Sequence, residues 1–327
     1  MSLTKTVIPI HDSHSVDTRM FDHVPVYEGD IPGEVAAPAT PPCFLGAFYR
    51  KVFSSTDAWL GIEGLIRLGE FTPDPQRFNL DGKGRFMDNP WIYMGGKSIK
   101  ERDAGIGLNL TYLSSDTSED LPLSAPKLAY RPFWRYIYNE ALDIENNVRR
   151  REVNSWNVSN PRALCYYYFP GDLIRMKIYS PIPNYLQLRI EVVEVTTIPK
   201  YVEIRSRYQL PNNRPSDFYS PLFHSEGHGI KPAEFKRVNS IDQFGNEGFI
   251  VKSTEASVSE ATWIETYLYR KVDGKLVKVP FHPARQVQMA CPQAEAFTIR
   301  TIHSEVGGEA ITIHPGKVHH ENHRSQK

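Results

Sequence analysis

Three acidic residues in two segments have the spacing to do chemistry. Glu101 and Asp103 follow the glycine pair Gly95 and Gly96 in the segment NPWIYMGGKSIKERDAG, and Glu265 stands in the later segment ATWIETYLYR. Alternation along a strand places Glu101 and Asp103 on one face. Two facing carboxylates can hydrolyse a bond, one as acid and the other as base or nucleophile. We therefore predict Asp103 and Glu265 as the catalytic pair if the protein is an enzyme.

Aromatic residues recur beside these acids with the same period of two. A face of rings and carboxylates suits a sugar, because rings stack on its C–H faces and acids accept from its hydroxyls. An ordinary sheet face can also mix aromatic and charged residues, since cross-strand aromatic pairs stabilise a sheet without any ligand. The predicted glycan-binding groove consists of Trp91, Tyr93, Glu101, Trp134, Tyr136, Trp263 and Tyr267.

The glycine pair is predicted to be the point where the chain reverses between two strands. Glycine tolerates a tight reversal at which side chains would crowd. A turn at Gly95 and Gly96 would bring Trp91 and Asp103 onto adjacent strands, with Glu265 across from them on a concave face.

The net charge and hydropathy of the chain argue against nucleic acid and membranes as partners. The chain has 327 residues, and its 38 Lys and Arg balance its 38 Asp and Glu. A neutral protein has no global field to attract nucleic acid or an anionic membrane. We see neither a signal peptide nor a stretch of 18 apolar residues, and expect no membrane insertion and a protein that is cytoplasmic or released without a classical signal.

Cysteines and histidines give no cofactor or metal site. Cys43, Cys165 and Cys291 are widely spaced, which argues against a zinc ribbon, although one disulfide with a spare thiol stays open. His224 and His228 have the spacing of helical metal ligands, but the neighbouring glycines favour a loop and no third ligand is evident. There is no glycine-rich phosphate loop, so we predict no cofactor and no metal.

A polar segment, EFKRVNSIDQFGNEG at 234 to 248, is predicted to be an irregular loop over a sheet edge. Loops of this kind often shape a site. Arg237, Asp242, Gln243 and Asn246 are candidates to contact a ligand, while Asp242 and Asn246 equally suit turn geometry.

Period-two patterns predict an all-β protein. The segments DLIRMKIYS, YLQLRIEVVEV, KYVEIRSRY and TWIETYLYRKV alternate apolar and polar residues, and turn signals separate them. Only the stretch from Asn139 to 153 is predicted to be partly helical. Many strands joined by turns indicate an antiparallel β-sandwich or jelly roll. We predict a Pro-rich arm over 1–43, one sandwich domain over 44–312 and a His-rich tail over 313–327.

Several segments resemble a known superfamily. CYYYFPGDLIRMKIYS resembles the strand, turn and strand of the concanavalin A-like lectin and glucanase sandwich. WIYMGGKSIKERDAG is similar to the W-x-G-I-D-G and Q-T-G hairpin of the glutamic (eqolisin-type) peptidases, which share that sandwich. ATWIETYLYR is similar to the strand that carries their catalytic glutamate. The resemblance implies a concanavalin A-like fold over about residues 85 to 280.

The resemblance implies catalytic roles only with two departures. Asp103 stands where the peptidases place their catalytic glutamine, ahead of Ala104 and Gly105. Glu265 lies one position before their catalytic glutamate, and Thr266 occupies the strictly aligned position. A slip of one residue turns a side chain to the opposite face of a strand.

Three functional classes remain open from the sequence. The first is a lectin-like protein that binds a glycan in the aromatic and acidic groove. The second is a hydrolase of the glycosidase or glutamic-peptidase kind that uses Asp103 and Glu265. The third is a structural or self-assembling protein, favoured by the zero net charge and by an arm suited to holding a homo-oligomer together.

Overall fold

The chain folds into strands that form two sheets. A computed structural model describes residues 19–82, 85–99, 101–109, 129–137, 153–157, 166–206 and 211–316. Its elements, in chain order, are β1 Ala47–Ser54, β2 Gly61–Arg67, β3 Glu70–Thr72, β4 Asp88–Lys97, β5 Glu101–Asn109, β6 Ala129–Ile137, β7 Val153–Asn157, β8 Leu173–Tyr179, β9 Tyr185–Glu194, α1 Pro199–Ser206, β10 Phe218–Tyr219, β11 Phe223–His224, β12 Glu234–Gln243, β13 Ser257–Val272, β14 Lys275–Pro280, β15 Gln286–Cys291, β16 Phe297–Thr301 and β17 Glu309–Ile313.

The two sheets pack as a sandwich. Sheet 1 has the order β15-β1-β12-β4-β5-β6-β7. Sheet 2 has the order β10-β9-β8-β2-β13-β17-β16, and β3, β11 and β14 add to its edges. Neighbouring strands run antiparallel in both sheets, for example β4 against β5 and β8 against β9. The predicted antiparallel β-sandwich is therefore confirmed.

The core lies between the sheets, where the alternating segments predicted it. Six apolar residues of β8 and β9 face inward and are fully buried, and each such side chain stabilises the fold by about 1.5–3 kcal/mol. These residues are Ile174, Met176, Ile178, Leu186, Leu188 and Ile190. Against them packs the inner face of sheet 1, which includes Ile92 and Met94 of β4.

The segment KYVEIRSRY is not a strand. Its first part is the single α-helix of the described ranges, α1. Tyr201 and Arg205 lie one helical turn apart and are both buried. Both pack on the ring of Phe169: the centre of the Tyr201 ring lies 5.4 Å from its centre, and the guanidinium carbon of Arg205 lies 4.9 Å from it. The prediction failed because Tyr, Val and Ile favour strands intrinsically, whereas the tertiary contact of one helical face decides this segment.

The segment predicted as a polar edge loop is mostly a central strand. Residues 234–243 form β12, hydrogen-bonded to β1 on one side and to β4 on the other. Five of its polar side chains are buried, and each of these has at least one polar partner. Gln243, for example, donates to Asp88 Oδ1 at 3.2 Å and to the Lys252 carbonyl at 2.8 Å, and Asn246 donates to Gln243 Oε1 at 3.1 Å.

The described part of the arm, residues 19–43, lies along the sandwich with little regular structure. Phe21 stacks on Tyr179 at 4.3 Å and meets Tyr269 edge-on at 5.2 Å, on the outer face of sheet 2. Farther along, Arg285 forms a forked ion pair with Glu34, donating to its two oxygens at 2.6 and 3.0 Å. The described part of the arm thus packs against its own chain, with Phe21 on the outer face of sheet 2, and the predicted homo-oligomer stays a prediction.

A disulfide joins the end of the arm to sheet 1. Cys43 is bonded to Cys291 of β15, with 5.9 Å between their Cα atoms. This is the single-disulfide arrangement that the cysteine count left open; Cys165 lies outside the described residues.

Most of the predicted tail lies outside the described residues. Strand β17 continues to Ile313, which is 1% exposed and belongs to the core. Tyr136 has only its backbone described, and the predicted helix after Asn139 lies outside the described residues. Within the described ranges, no helix combines the length and the apolar character needed to cross a bilayer.

We expect the Phe21→Ala variant to lose about 3–5 kcal/mol of unfolding free energy, because the ring is 1% exposed and wedged between two tyrosines. Denaturant-induced unfolding measures the change. The control is Phe249→Ala, whose ring is 63% exposed and whose removal should change stability by less than about 0.5 kcal/mol. Equal stability of the two variants would show that the arm contributes nothing to the fold.

Candidate functional site

The structure separates the two acids of the predicted catalytic pair. Asp103 lies on β5 of sheet 1, and Glu265 lies on β13 of sheet 2. Each turns away from the core, since the inward positions beside them are held by Ala104 and Leu268. Asp103 and Glu265 therefore lie on opposite outer faces of the sandwich. The prediction that they face each other across one groove is wrong.

The register of sheet 1 groups a different set of side chains on its outer face. One cross-strand row runs Phe53, Lys236, Gly95, Asp103 over β1, β12, β4 and β5. The row beside it contains Lys51 of β1, Val238 of β12 and Tyr93 of β4. Trp91, Tyr93, Glu101 and Asp103 thus share one face of the sheet.

The glycine pair acts by making room and not by turning the chain. Gly95 and Gly96 lie inside β4, and the reversal follows at Ser98 and Ile99. A Cβ atom at Gly95 would collide with Asp103 Oδ1 and come within 3.1 Å of the Lys236 side chain. Glycine is therefore required at 95 so that an ion pair can form across β4.

Five charged residues form what we call the acid–lysine cluster, at one end of this face. Lys236 Nζ contacts a carboxylate oxygen of Glu101 and lies 3.0 Å from Asp103 Oδ1. Lys51 Nζ lies 3.6 Å from Glu234 Oε1. Asp103 and Lys236 are buried, whereas the side chains of Lys51, Glu101 and Glu234 are 16%, 20% and 18% exposed. The cluster therefore consists of one buried ion pair, Lys236 with Asp103, and three partly exposed charged side chains.

The two lysines of the cluster differ in the pKa of their ammonium groups. Burial alone would lower the pKa of Lys236, but the nearby charges of Asp103 and Glu101 outweigh burial and raise it, so the ammonium is permanent. For Lys51, burial and repulsion from Lys236 together lower the pKa, and the attraction of Glu234 only partly offsets them. Lys51 is therefore the lysine of the cluster closer to proton exchange.

The aromatic rings of this face are mostly covered. Tyr93 and Phe133 are 3% and 1% exposed and meet at 6.4 Å. Trp91 contacts Phe133 edge-on at 4.5 Å and is half-buried. The rings have one another as partners, so they form a packed apolar patch and not an open trough.

Two tryptophans of the predicted groove point into the core. Trp263 is fully buried and donates to Asn239 Oδ1 at 2.7 Å. A β-bulge between Trp263 and Glu265 breaks the alternation, so the tryptophan points inward while the acid points outward. Trp134 packs against the core and lies 6.1 Å from Phe218, on the opposite face of sheet 1 from Asp103.

Glu265 and Tyr267 belong to a separate ionic network on the outer face of sheet 2. Arg175 lies 2.9 Å from Glu265 and 3.4 Å from Glu63, which is 2% exposed. Burial first, and then the adjacent Glu265, raise the pKa of Tyr267 to about 12. Lys177 joins this network and also donates to the Phe21 carbonyl at 3.3 Å, which ties the network to the arm.

His224 and His228 bind no common centre. His228 is fully buried, its Nδ1 lies 2.6 Å from Ser225 Oγ, and its Nε2 has no hydrogen-bond partner. His224 instead meets the ring of Tyr185 at 5.6 Å. Among the described residues, no group of three or more His, Cys, Asp or Glu side chains could hold a metal ion.

Sequence reasoning missed Lys51, Glu234 and Lys236. Lys51 follows Arg50 and precedes an apolar residue, so it alternates with buried neighbours just as Lys236 does in EFKRV. This pattern signals a charged residue on a covered strand. The prediction of a loop over residues 234–248 hides this alternation in β12.

The sequence matches no known protein family and no curated protein. Similar solved structures include scytalido-glutamic peptidase with a peptide-based transition-state analogue, with a TM-score of 0.45, 8% identity, and coverage of 82% of this chain and 98% of that one. The same peptidase with a transition-state analogue inhibitor gives a TM-score of 0.44 and 9% identity at the same coverage. SCP-B, of the eqolisin peptidases, bound to the tripeptide Ala-Ile-His, gives 0.42 and 8%, again at 82% and 98% coverage. Likeness at this level assigns no role to any residue.

We expect His228 to make the fold sensitive to acid. Burial, followed by the nearby Arg102, lowers the pKa of His228 from 6.5 to about 4 in the folded protein. The unfolded chain then binds the proton more readily, so stability is complete above about pH 6.5 and falls as the pH drops toward 4. Between pH 7 and 4.5 the His228→Gln variant should lose about 2–3 kcal/mol less stability than the parent.

Denaturant unfolding of both proteins at the two pH values measures this difference. His303→Gln is the matched control, because the His303 side chain is 55% exposed. If His228→Gln and the parent lose stability in parallel, the buried imidazole does not govern the acid response.

Proposed function

We propose that the protein is a hydrolase whose reacting groups belong to the acid–lysine cluster. The observation that carries the proposal is that Glu101, a partly exposed carboxylate, is held by the fully buried pair of Lys236 and Asp103. A catalytic acid or base is typically oriented in this way, by a second group that is itself fixed by a third.

Burial assigns the roles within the cluster. Asp103 is 0% exposed and cannot touch a substrate, so it is a positioning residue that holds the Lys236 ammonium. Glu101 is the general acid–base that takes a proton from an attacking water and returns it to the leaving group. Lys51, on the same face, supplies a positive charge that stabilises negative charge developing on the substrate.

The charges favour an amide or ester substrate over a glycoside. Hydrolysis of an amide or ester passes through an oxyanion, which the ammonium of Lys51 stabilises. Cleavage of a glycoside passes through an oxocarbenium-like state, which is positively charged. Two lysines beside the reacting carboxylate oppose that charge. The peptidase-like form of the hydrolase hypothesis thus fits these residues better than the glycosidase form.

The disulfide bears on where such a hydrolase acts. Disulfides persist in oxidising environments and are rare in a reducing cytosol. The bond between Cys43 and Cys291 therefore favours release from the cell over a cytoplasmic location.

We expect Glu101→Gln to lower kcat about 100- to 10,000-fold on the peptides or esters that the parent cleaves, because the general acid–base is removed. A panel of fluorogenic peptides and esters, read from acid to neutral pH, measures it. Glu194→Gln is the control, since Glu194 also forms an ion pair, with Arg67, but lies on sheet 2 with its side chain 59% exposed. Full activity of a folded Glu101→Gln protein, or no hydrolysis by the parent on the panel, would rule out this mechanism.

A second candidate, binding of a glycan, rests on Trp91. Its ring is half-buried on the outer face of sheet 1, where Tyr93 and Phe133 are nearly covered, and a partly exposed ring on the same face as carboxylates can contact a sugar. We expect Trp91→Ala to weaken any glycan that a glycan array identifies by about fivefold or more, the order of one lost contact. Tyr219→Ala is the control, because its ring is 47% exposed on sheet 2. An array without binding would remove this candidate.

A further inference from the structure

Three arginines of the described chain are buried against aromatic rings. The carbon of each guanidinium lies within cation–π distance of the centre of an aromatic ring, and the ring shields that side of the guanidinium from water. The pairs are Arg205 with Phe169 at 4.9 Å, Arg270 with Trp59 at 4.9 Å and Arg237 with Trp263 at 5.0 Å. Because the environments are alike, the arginines can be compared by the charge that balances each one.

Two of these arginines have a carboxylate of their own. Arg205 pairs with Asp172 at 2.6 Å, and Arg270 pairs with Asp57 at 3.0 Å. Each pair is neutral. Removing either partner would leave a buried charge uncompensated, which typically costs several kcal/mol.

The third arginine shares its carboxylate with another. Glu309 lies 2.9 Å from Arg237 and 2.7 Å from Arg50, and all three residues are at most 5% exposed. Among the residues that the structure describes, no second carboxylate forms an ion pair with either arginine. The group therefore carries one positive charge in excess, between the two sheets.

Unused donors lie beside this excess charge. Arg237 Nε and Asn239 Nδ2 are buried and have no hydrogen-bond partner. Asn239 is directly opposite Arg50 in the pairing of β12 with β1, and Arg237 is two residues along the same face. Arg205 and Arg270 also leave their Nε atoms without an acceptor. The feature particular to Arg237 is thus the missing negative charge together with the free amide of Asn239.

We propose that a small monovalent anion of the halide class binds between the sheets at Arg50, Arg237 and Asn239. A water molecule could accept hydrogen bonds from the free donors, but it would leave the charge uncompensated. A monovalent anion does both. The pKa of Arg237 agrees with an excess of positive charge. Burial and the nearby charge of Arg50 lower this pKa, and Glu309 offsets them only in part. A divalent anion would reverse the imbalance and not remove it.

This site is independent of the proposed hydrolase. Lys236 and Arg237 are adjacent on β12, so they point to opposite faces of sheet 1. Lys236 belongs to the acid–lysine cluster on the outer face, and Arg237 belongs to the interior. An anion at Arg237 stabilises the fold whether or not Glu101 is catalytic.

Thermal unfolding at constant ionic strength tests the proposal, with sodium gluconate replaced stepwise by sodium bromide. Because an anion that binds only the folded chain stabilises it by mass action, the parent midpoint should rise by a few degrees, in step with the logarithm of the bromide concentration once this exceeds the dissociation constant. Arg237→Met should abolish the rise, since it leaves Arg50 and Glu309 as a neutral pair. Arg270→Met, which removes another buried arginine, one that has its own carboxylate, should keep it.

Anomalous scattering from crystals grown in bromide provides a readout that does not depend on stability. We expect a bromide peak within about 3.5 Å of Asn239 Nδ2 and Arg237 Nε. The proposal is overturned if the parent midpoint is the same in the two salts, if Arg237→Met keeps the dependence on bromide, or if the crystal shows an ordered water without anomalous signal at this position.

Discussion

The buried ammonium of Lys236 decides how the outer face of sheet 1 is built. A charge that leaves water must be compensated nearby, because its desolvation costs several kcal/mol. Asp103 supplies this compensation from β5, two strands away from β12. The intervening strand must therefore lack a side chain at the crossing point, which Gly95 provides. One cation thus accounts for an acid, a glycine and the register that aligns them.

The two faces of β12 differ in how the charge of their buried cation is compensated. The outward Lys236 is overcompensated by two carboxylates, whereas the inward Arg237 shares a single carboxylate with Arg50. A strand of the plain alternating kind would bury apolar residues on one side only. Strand β12 is covered on both sides, and each polar residue within it needs its own partner, which makes the centre of sheet 1 sensitive to substitution on either face.

Much of the fold could be predicted from the sequence, because period-two alternation directly reports which face of a strand is buried. It located the cores of β8 and β9, including Met176 and Leu188. It failed where the structure departs from that period. The bulge after Trp263 exchanges the faces of β13, and β12 conceals a buried strand behind polar residues. The prediction that Asp103 and Glu265 face each other was wrong for another reason. The sheet that a strand joins depends on long-range pairing, and the local sequence pattern does not contain this information.

The link between Cys43 and Cys291 encloses β1 through β15 within one covalent ring, spanning 248 residues of sequence. A single peptide-bond cut anywhere inside that ring would leave one molecule of unchanged mass apart from the added water. Both fragments would stay anchored at neighbouring positions of sheet 1, where β1 lies beside β15. The protein can therefore persist as a nicked, two-chain form whose cleavage becomes visible only after the sulfur bond is reduced.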